Sequence, residues 1–592
     1  MKRIADSVTF LRRVWRLGAP YWRSEERWQA RGLLAVIVVL TIGLVFLLVL
    51  LNNWNREFYE AIQNKDFASF GPLLLQFTVL AAIYIIGAVY KLYFTQMLQM
   101  RWRVWMTRRF VGHWLSNQVY YRLELRDRRT DNPDQRIAED VRAFTFSTLD
   151  LSLGLLGSLL TLGSFLTILW VLSGPLSFSL GGVDIDIPGY MVWVAIVYAA
   201  VGSYFTAVVG RRLIPINFQR QRLEADFRFG LVRLRENAEG VALYHGEPSE
   251  QTDLMTRFER IRGNWWELMR YTKRLTFLIV GYEQVAVIFP VLVAAPRYFA
   301  GEISLGVLTQ VAQAFGRVQG SLSWFVDAYS DLAVWKASVD RLLTFENAMR
   351  EAELDVQRGE RIRVGTNGAT QLRAENLDLM LPNGRPILGI ADFSVSRGDK
   401  VLVTGPTGVG KSTLFRALAG IWPFGKGSIR VPSEGRQLFL PQKPYIPIAS
   451  LREATTYPAP PGTFSDDEIR EVLTAAHLEA FVPRLDEVQN WSMVMSGGEQ
   501  QRLALARALL HKPDWLFMDE ATAALDEPSE QELYQLLEER LPNATIVSIA
   551  HRPRVADFHA RTVALPTSRS PETSRKTSSS TSHGARSGST EG

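Results

Sequence analysis

Twenty consecutive residues, Gly32 to Leu51, carry no charge, and that is the length a helix needs to cross about 30 Å of hydrocarbon. Apolar runs of similar length recur at Phe67–Tyr90, roughly 149–171, and Ile187–Gly210. A fifth, Leu275–Ala295, is interrupted only by Glu283, and a sixth from Ile303 to about Phe325 carries Arg317. Six spans are therefore expected. Whole-chain averages hide them: hydrophobic content of 47% over 592 residues blends a strongly apolar first half with a polar second half.

The first run is too long and too far from the start for a cleaved signal peptide, so it reads as a retained anchor. Loop charge sets the orientation, because Lys and Arg stay preferentially on the cytoplasmic side. The segment before the first span holds Arg12, Arg13, Arg16, Arg23, Arg27 and Arg31. Residues 101–145 hold ten arginines against six acids, and 211–274 hold thirteen basic residues against nine acids. Residues 172–189 have no basic residue at all. Both termini are thus expected inside. The net charge of +6 is accounted for by cytoplasmic loops at an anionic membrane and calls for no nucleic-acid partner. With no cysteine, disulfides and thiolate chemistry are excluded.

The expected layout is a membrane domain over 1–346, a charged linker over 347–364, a nucleotide-binding domain over 365–565, and a disordered Ser/Thr/Arg-rich tail over 566–592. The nucleotide assignment rests on Gly405-Pro406-Thr407-Gly408-Val409-Gly410-Lys411-Ser412-Thr413. In a loop of the form G-x-x-x-x-G-K-[ST], backbone N–H groups surround phosphates, the lysine neutralises them and the following hydroxyl meets Mg²⁺. Lys400–Thr404 reads as the strand feeding the loop, and Leu414–Ile421 as the helix whose N-terminus faces the phosphates. Trp515–Asp519 reads as a buried parallel strand presenting Asp519 to Mg²⁺, with Glu520 next to orient or deprotonate the attacking water.

Between them lies Ser496-Gly497-Gly498-Glu499-Gln500-Gln501-Arg502, a hydroxyl and two glycines opening a helix, which makes another anion-accepting N-terminus. Here the chain resembles the ATP-binding cassette transporter superfamily, whose signature is Leu-Ser-Gly-Gly-Gln, with Met495 and Glu499 as mild departures. The resemblance implies an exporter-like fold of six helices plus an α/β P-loop domain, and an ATP hydrolase coupled to transport. It further implies that Gln442 senses Mg²⁺ and the membrane domain, that Asp526 lies in the loop crossing a dimer interface, and that His551 is the switch histidine near the γ-phosphate. One copy of each motif implies a dimer, most simply of two identical chains, with each signature completing the partner's site. Leu381 stands where an aromatic usually stacks on adenine, which leaves selectivity for ATP over GTP open.

Asn132-Pro133-Asp134-Gln135-Arg136, the run Leu-Asn-Asn-Trp-Asn-Arg-Glu-Phe-Tyr at 51–59 and Ala238–Glu247 resemble one branch in particular. It is shared by peroxisomal fatty-acyl-CoA half-transporters and bacterial BacA/SbmA-related transporters with a fused cassette. Asn132 and Pro133 alone read as a helix start with an N-cap acceptor. Two cargo readings follow: import of hydrophilic peptides, bleomycin-type glycopeptides or cobalamin across a bacterial inner membrane, or movement of acyl-CoA and lipid conjugates. The run at 294–302 resembles the bacterial members and favours the first. An ATP-gated channel or a signalling partner of another membrane protein is the alternative of a different class. Gln310, Gln313, Arg317, Ser321, Trp324 and Asp331 recur at steps of three or four, apart from one double step, which places them on one polar face, lining a cavity or facing solvent. Glu283, a carboxylate inside an apolar run, is expected to meet cationic cargo, titrate or pair with a basic residue.

Overall fold

A computed structural model of the chain describes residues 2–126, 132–180, 183–358, 361–366 and 371–566; the expected tail beyond 566 lies outside them. The chain divides into two compact units, one of Met1–Ser116 with Arg129–Met349 and the other of Asn117–Arg128 with Arg350–Gly592.

The first unit is helical. Among the described residues, five helical stretches are long and apolar enough to cross a membrane: Arg27–Gln63, Phe67–Leu125, Pro133–Ser173, Tyr190–Glu236 and Glu247–Phe299. The sixth expected span is the helix Leu305–Asp327. It is too polar to qualify by composition, and burial explains why. Val311, Ala314, Phe315 and Val318 form a core with Phe165 and Leu169 of the third span and Met191, Val192 and Ala195 of the fourth. A helix enclosed by its neighbours need not dissolve in lipid, so it tolerates glutamines that a peripheral span does not. This burial of one face favours the cavity-lining reading of the segment over the solvated one.

The spans extend well past the hydrocarbon. Phe67–Leu115 has 49 residues, or roughly 70 Å at 1.5 Å per residue. It begins at Asp66, whose side chain accepts from the N–H groups of Ala68 and Ser69, satisfying two donors that a helix start otherwise leaves bare. The runs at 51–59 and 294–302 turn out to be seams between helices. Asn52 donates its amide to the Gln310 carbonyl at 3.3 Å, and Gln310 donates to Asn53 Oδ1 at 2.9 Å, while Trp54 donates to the Leu73 carbonyl. Arg297 donates to Glu302 at 2.9 Å and to the Ser173 carbonyl.

At Asn132-Pro133 a helical turn does begin, but the Asn132 side chain makes no capping bond, which corrects the expected N-cap. The run serves a buried ion cluster instead. Asp140, 3% exposed, pairs with Arg136 and with Arg341 from 201 residues further on.

In the second unit, five strands form a wholly parallel sheet: β1 (Lys400–Thr404), β2 (Gln437–Leu440), β3 (Trp515–Asp519), β4 (Thr545–Ile549) and β5 (Arg561–Ala564), in the order β5-β1-β4-β3-β2. Parallel strands covered on both faces read as unbroken apolar runs. Trp515, Leu516, Phe517 and Met518 are accordingly all buried. A second, mixed sheet orders Arg363–Thr366, Gly425–Val431, Gln371–Met380 and Pro386–Ser396 over the same core. The short helix Val119–Arg126, which leaves the second span, belongs to this unit and sets Leu125 against that core.

Candidate functional site

The phosphate loop joins β1 to the helix Lys411–Leu418. Gly410 has φ of 104°, and a Cβ there would stand 2.6 Å from Ile387 Cγ2, so both backbone sign and space restrict the position to glycine. Lys411 is buried and donates Nζ to the carbonyls of Gly405 (2.8 Å) and Pro406 (3.3 Å). Its ammonium thus lies inside the turn of the loop, where the oxygens of a bound phosphate would take over from the carbonyls as acceptors. Thr413 continues the helix, and Thr407, Gly408 and Val409 complete the loop between Pro406 and Gly410.

Ser412 donates its hydroxyl to Asp519 Oδ1 at 2.9 Å. Burial pushes the Asp519 carboxyl above the ordinary aspartate range and the charge of Glu520 adds to this, while the Ser412 bond and the Arg416 and Lys411 charges oppose it. A hydroxyl and a carboxylate in contact offer the hard oxygen ligands that Mg²⁺ prefers, one carboxylate being enough when phosphates supply the rest.

One residue beyond β3, Glu520 sits at φ 51°, an uncommon conformation for a residue with a side chain. Its N–H donates to the Ile549 carbonyl at the end of β4. This bend turns the carboxylate away from the strand and onto two partners. Gln442 donates Nε2 to Glu520 Oε2 at 2.9 Å, and His551 Nε2 lies 2.9 Å from Oε1. The three residues come from segments 78 and 31 residues distant from Glu520. The structure therefore brings Gln442, Glu520 and His551 together, alongside the Ser412–Asp519 pair at the adjacent end of the same sheet. Held between a donor amide and an imidazole, a carboxylate is oriented for polarising a water.

The signature segment forms a separate feature. Ser496 caps the helix Gly497–His511: its hydroxyl accepts from the Glu499 N–H, while the Glu499 carboxylate accepts from the Ser496 N–H and hydroxyl, both at 2.8 Å. Glu499 thus takes the position of the signature glutamine as the second half of a capping box. Among the described residues, no hydrogen bond links Ser496, Gly497, Gly498 or Glu499 to the phosphate loop. Gly497 and Gly498 instead lie against Ala524 and Leu525, two residues before Asp526, which precedes the helix Glu527–Arg540. Leu381 heads the turn at Pro382–Gly384 and packs against the core of the unit.

Two residues that sequence reasoning passed over tie these pieces together. Gln501 reaches Gln442, Glu520 and Ala524. Arg507, 6% exposed, donates to the carbonyls of Ala454 and Tyr445 at 2.6–2.8 Å. Burial lowers its pKa to about 10, so it stays charged at neutral pH. Their signal was polar side chains inside an apolar helix.

A cavity of about 700 Å³ opens in the membrane unit, lined by the first, second and third spans and the sixth helix. Arg317 and Trp324 line it, as does Ser321; Glu283, Gln310 and Gln313 do not. Gln310 is consumed by the seam with Asn52 and Asn53, Gln313 accepts from Asn52, and Glu283 is exposed on the fifth span. The cavity gains Lys91 and Asp150 instead. Asp150 accepts from Gln99 at 2.8 Å, and among the described residues neither Lys91 nor Arg317 has an ion-pair partner. Asp150 was visible as a charge inside an apolar run. Lys91 was missed because the second span was ended at Tyr90, whereas the helix continues to Leu115.

A phosphate loop at the edge of a parallel sheet, an acid-terminated strand, a separate glycine-rich helix start and a bundle of membrane-length helices define an ATP-hydrolysing membrane protein. Comparison with known proteins specifies it further. Residues 20–299 match the ABC transporter transmembrane region 2 family and residues 388–523 match the ABC transporter family. The Escherichia coli inner membrane ABC transporter ATP-binding protein YddA is 34% identical, covering 90% of this chain and 94% of that one. The mouse lysosomal cobalamin transporter ABCD4 is 25% identical, covering 93% of each. A bacterial Atm1-family ABC exporter solved with ATP bound superposes with a TM-score of 0.67 at 17% identity, covering 92% of this chain and 94% of that chain, a likeness of fold. The chain belongs to the ABC transporter family, with transmembrane and cassette domains fused in one polypeptide and a relationship to the D-family half-transporters. Its cassette binds ATP with Mg²⁺, and its ATPase activity is coupled to transport.

Proposed function

We propose that this chain is a half-transporter that pairs with a second copy of itself in a bacterial inner membrane, with both termini cytoplasmic, and imports hydrophilic cargo such as peptides or cobalamin. The membrane domain runs to about 346, a linker to 364 and the cassette to 565. Lys411 and the loop N–H groups of 405–413 hold the phosphates, and Ser412 and Asp519 hold Mg²⁺, which neutralises phosphate charge. Glu520 takes a proton from the attacking water, His551 steadies that carboxylate and the γ-phosphate, and Gln442 reports their state toward the membrane domain. Ser496, Gly497, Gly498 and Glu499 complete the partner's site, and Asp526 lies at the boundary between copies.

The observation that carries the ATP-driven part of this reading is the convergence of Gln442 and His551 on the two oxygens of Glu520. Whole-length similarity to a protein named as a cobalamin transporter supports the cargo class, as does the resemblance to the BacA/SbmA branch. The test is uptake of a labelled proline-rich peptide, bleomycin and cobalamin by transporter-deleted bacteria carrying the chain or its Glu520→Gln form. Uptake by the unaltered chain alone is expected; equal uptake by both would sink ATP-driven import and bring back the channel reading.

A second cargo reading has its own support. Lys91 and Arg317 outnumber Asp150 in the cavity, and unpaired cations at membrane depth favour an anionic group on the ligand. This fits acyl-CoA or a related anionic lipid conjugate. ATP-dependent movement of acyl-CoA but not of peptide or cobalamin in reconstituted vesicles would select it.

A further inference from the structure

Gln501 sits five residues into the signature helix from Ser496 and is 4% exposed. Each atom of its amide is directed at a different functional segment. Oε1 accepts the Ala524 N–H at 2.9 Å, just before Asp526; Nε2 donates to the Gln442 carbonyl at 3.2 Å and approaches the Glu520 carbonyl at 3.5 Å. Its sequence neighbours do nothing comparable. Gln500 folds back onto the carbonyls of Ser492 and Met495, and Arg502 reaches Ser529 Oγ and, at longer range, the His477 carbonyl.

We propose that Gln501 is a positioning residue that couples the two ATP sites of the dimer. This rests on the homodimer reading above, in which the signature of one chain serves the site of the other. Under that reading, the helix start at Ser496 responds to nucleotide bound by the partner. The helix is a stiff rod, so a shift at Ser496 is passed to Gln501 about 7.5 Å along its axis. There one buried amide holds the backbone of the chain's own Gln442, Glu520 and Ala524. Occupancy of one site thereby adjusts the carboxylate that acts in the other. Because Glu520 is already held in an uncommon backbone conformation, loss of a neighbouring bond changes its position rather than being absorbed.

The experiment measures ATP turnover against ATP concentration for the full chain in lipid nanodiscs, comparing the unaltered protein with Gln501→Ala and Gln501→Met. The unaltered protein should show a Hill coefficient approaching about two, the number of sites. Both variants should show a coefficient near about one and a kcat lowered on the order of tenfold, as for an unpaired buried group, with half-saturation changed by less than about threefold. Gln501→Met retains side-chain length and packing, so it decides the matter if the alanine variant does not fold. A lowered kcat with cooperativity intact would reduce Gln501 to a local structural role and overturn the coupling, as would unchanged kinetics. A Hill coefficient of about one in the unaltered protein would overturn the coupling and leave the dimer reading standing, whereas a single copy per particle with ATP bound, read by mass photometry, would fail the dimer reading and this inference with it.

Discussion

The cassette and the membrane unit solve opposite problems with the same side chains. In the cassette, the polar groups around the site are paired: Lys411 with loop carbonyls, Ser412 with Asp519, and Gln442 and His551 with Glu520. In the membrane cavity, Lys91 and Arg317 stand without an ion-pair partner among the described residues, beside an Asp150 held by Gln99. A site that performs one fixed reaction gains from preorganisation, because donors and acceptors aimed in advance need no rearrangement as charge develops. The proposed cargo role of the cavity is consistent with charge kept in reserve. Pairing every ion inside the protein would leave none to attract a ligand, and releasing it would then cost too much.

The sharpest way to break this contrast is to disturb the cassette carboxylate. Glu520→Gln keeps the shape and the Gln442 contact but removes the base, and phosphate release should fall by about 10²–10⁴-fold while ATP still binds. Residual hydrolysis within tenfold of the unaltered protein would show that another group supplies the base.

Next comes the rigidity of the cassette. Arg507→Met leaves the Ala454 and Tyr445 carbonyls without donors, with an expected loss of about 3 kcal/mol, read as a lowered midpoint of thermal unfolding. A change below about 1 kcal/mol would show that these carbonyls find water instead, and that preorganisation is looser than the geometry implies.

On the membrane side, replacing Lys91 and Arg317 together by alanine should raise the half-saturating concentration of an anionic cargo by about tenfold, roughly 1.4 kcal/mol. The measurement is cargo-stimulated ATPase in vesicles. Equal shifts for neutral and anionic cargo would show that these cations do not act through charge.

The smallest expected effect is a pH dependence. His559 is buried between the Val555 carbonyl and Ser548, and burial depresses its pKa below the usual histidine value. The unfolded chain therefore binds a proton before the folded one does. Stability from this residue is complete above about pH 6.5 and is lost as pH falls through the folded pKa. His559→Gln should flatten the decline in unfolding temperature between neutral pH and pH 5; an unaltered slope would assign the decline to other groups.

The cassette was largely legible from the chain itself because its chemistry is written in contiguous residues. A nine-residue loop wraps a phosphate with its own backbone, and an acid follows a buried strand directly, so spacing along the chain is already spacing in space. The same logic worked for five spans, each of which satisfies its backbone alone. It failed where polar residues were read by periodicity. Gln310 and Gln313 share a face with Arg317, yet the seam with Asn52 and Asn53 claims them first. Asn132 looked like a cap, while the ion cluster at Asp140 needed Arg341, 201 residues away.

Sequence by itself determined that this protein spans a membrane, binds ATP and carries both the glycine loop Gly405–Thr413 and the acid pair Asp519 and Glu520, since each of these follows from residues within a few turns of one another. Tertiary structure alone decided that Gln442 and His551 share Glu520, that Gln501 touches three functional segments, and that Lys91, Asp150 and Arg317 meet in one cavity. Those juxtapositions join segments tens to hundreds of residues apart. No local pattern encodes them, because the free energy that brings them together comes from burying apolar faces elsewhere on the same helices and strands.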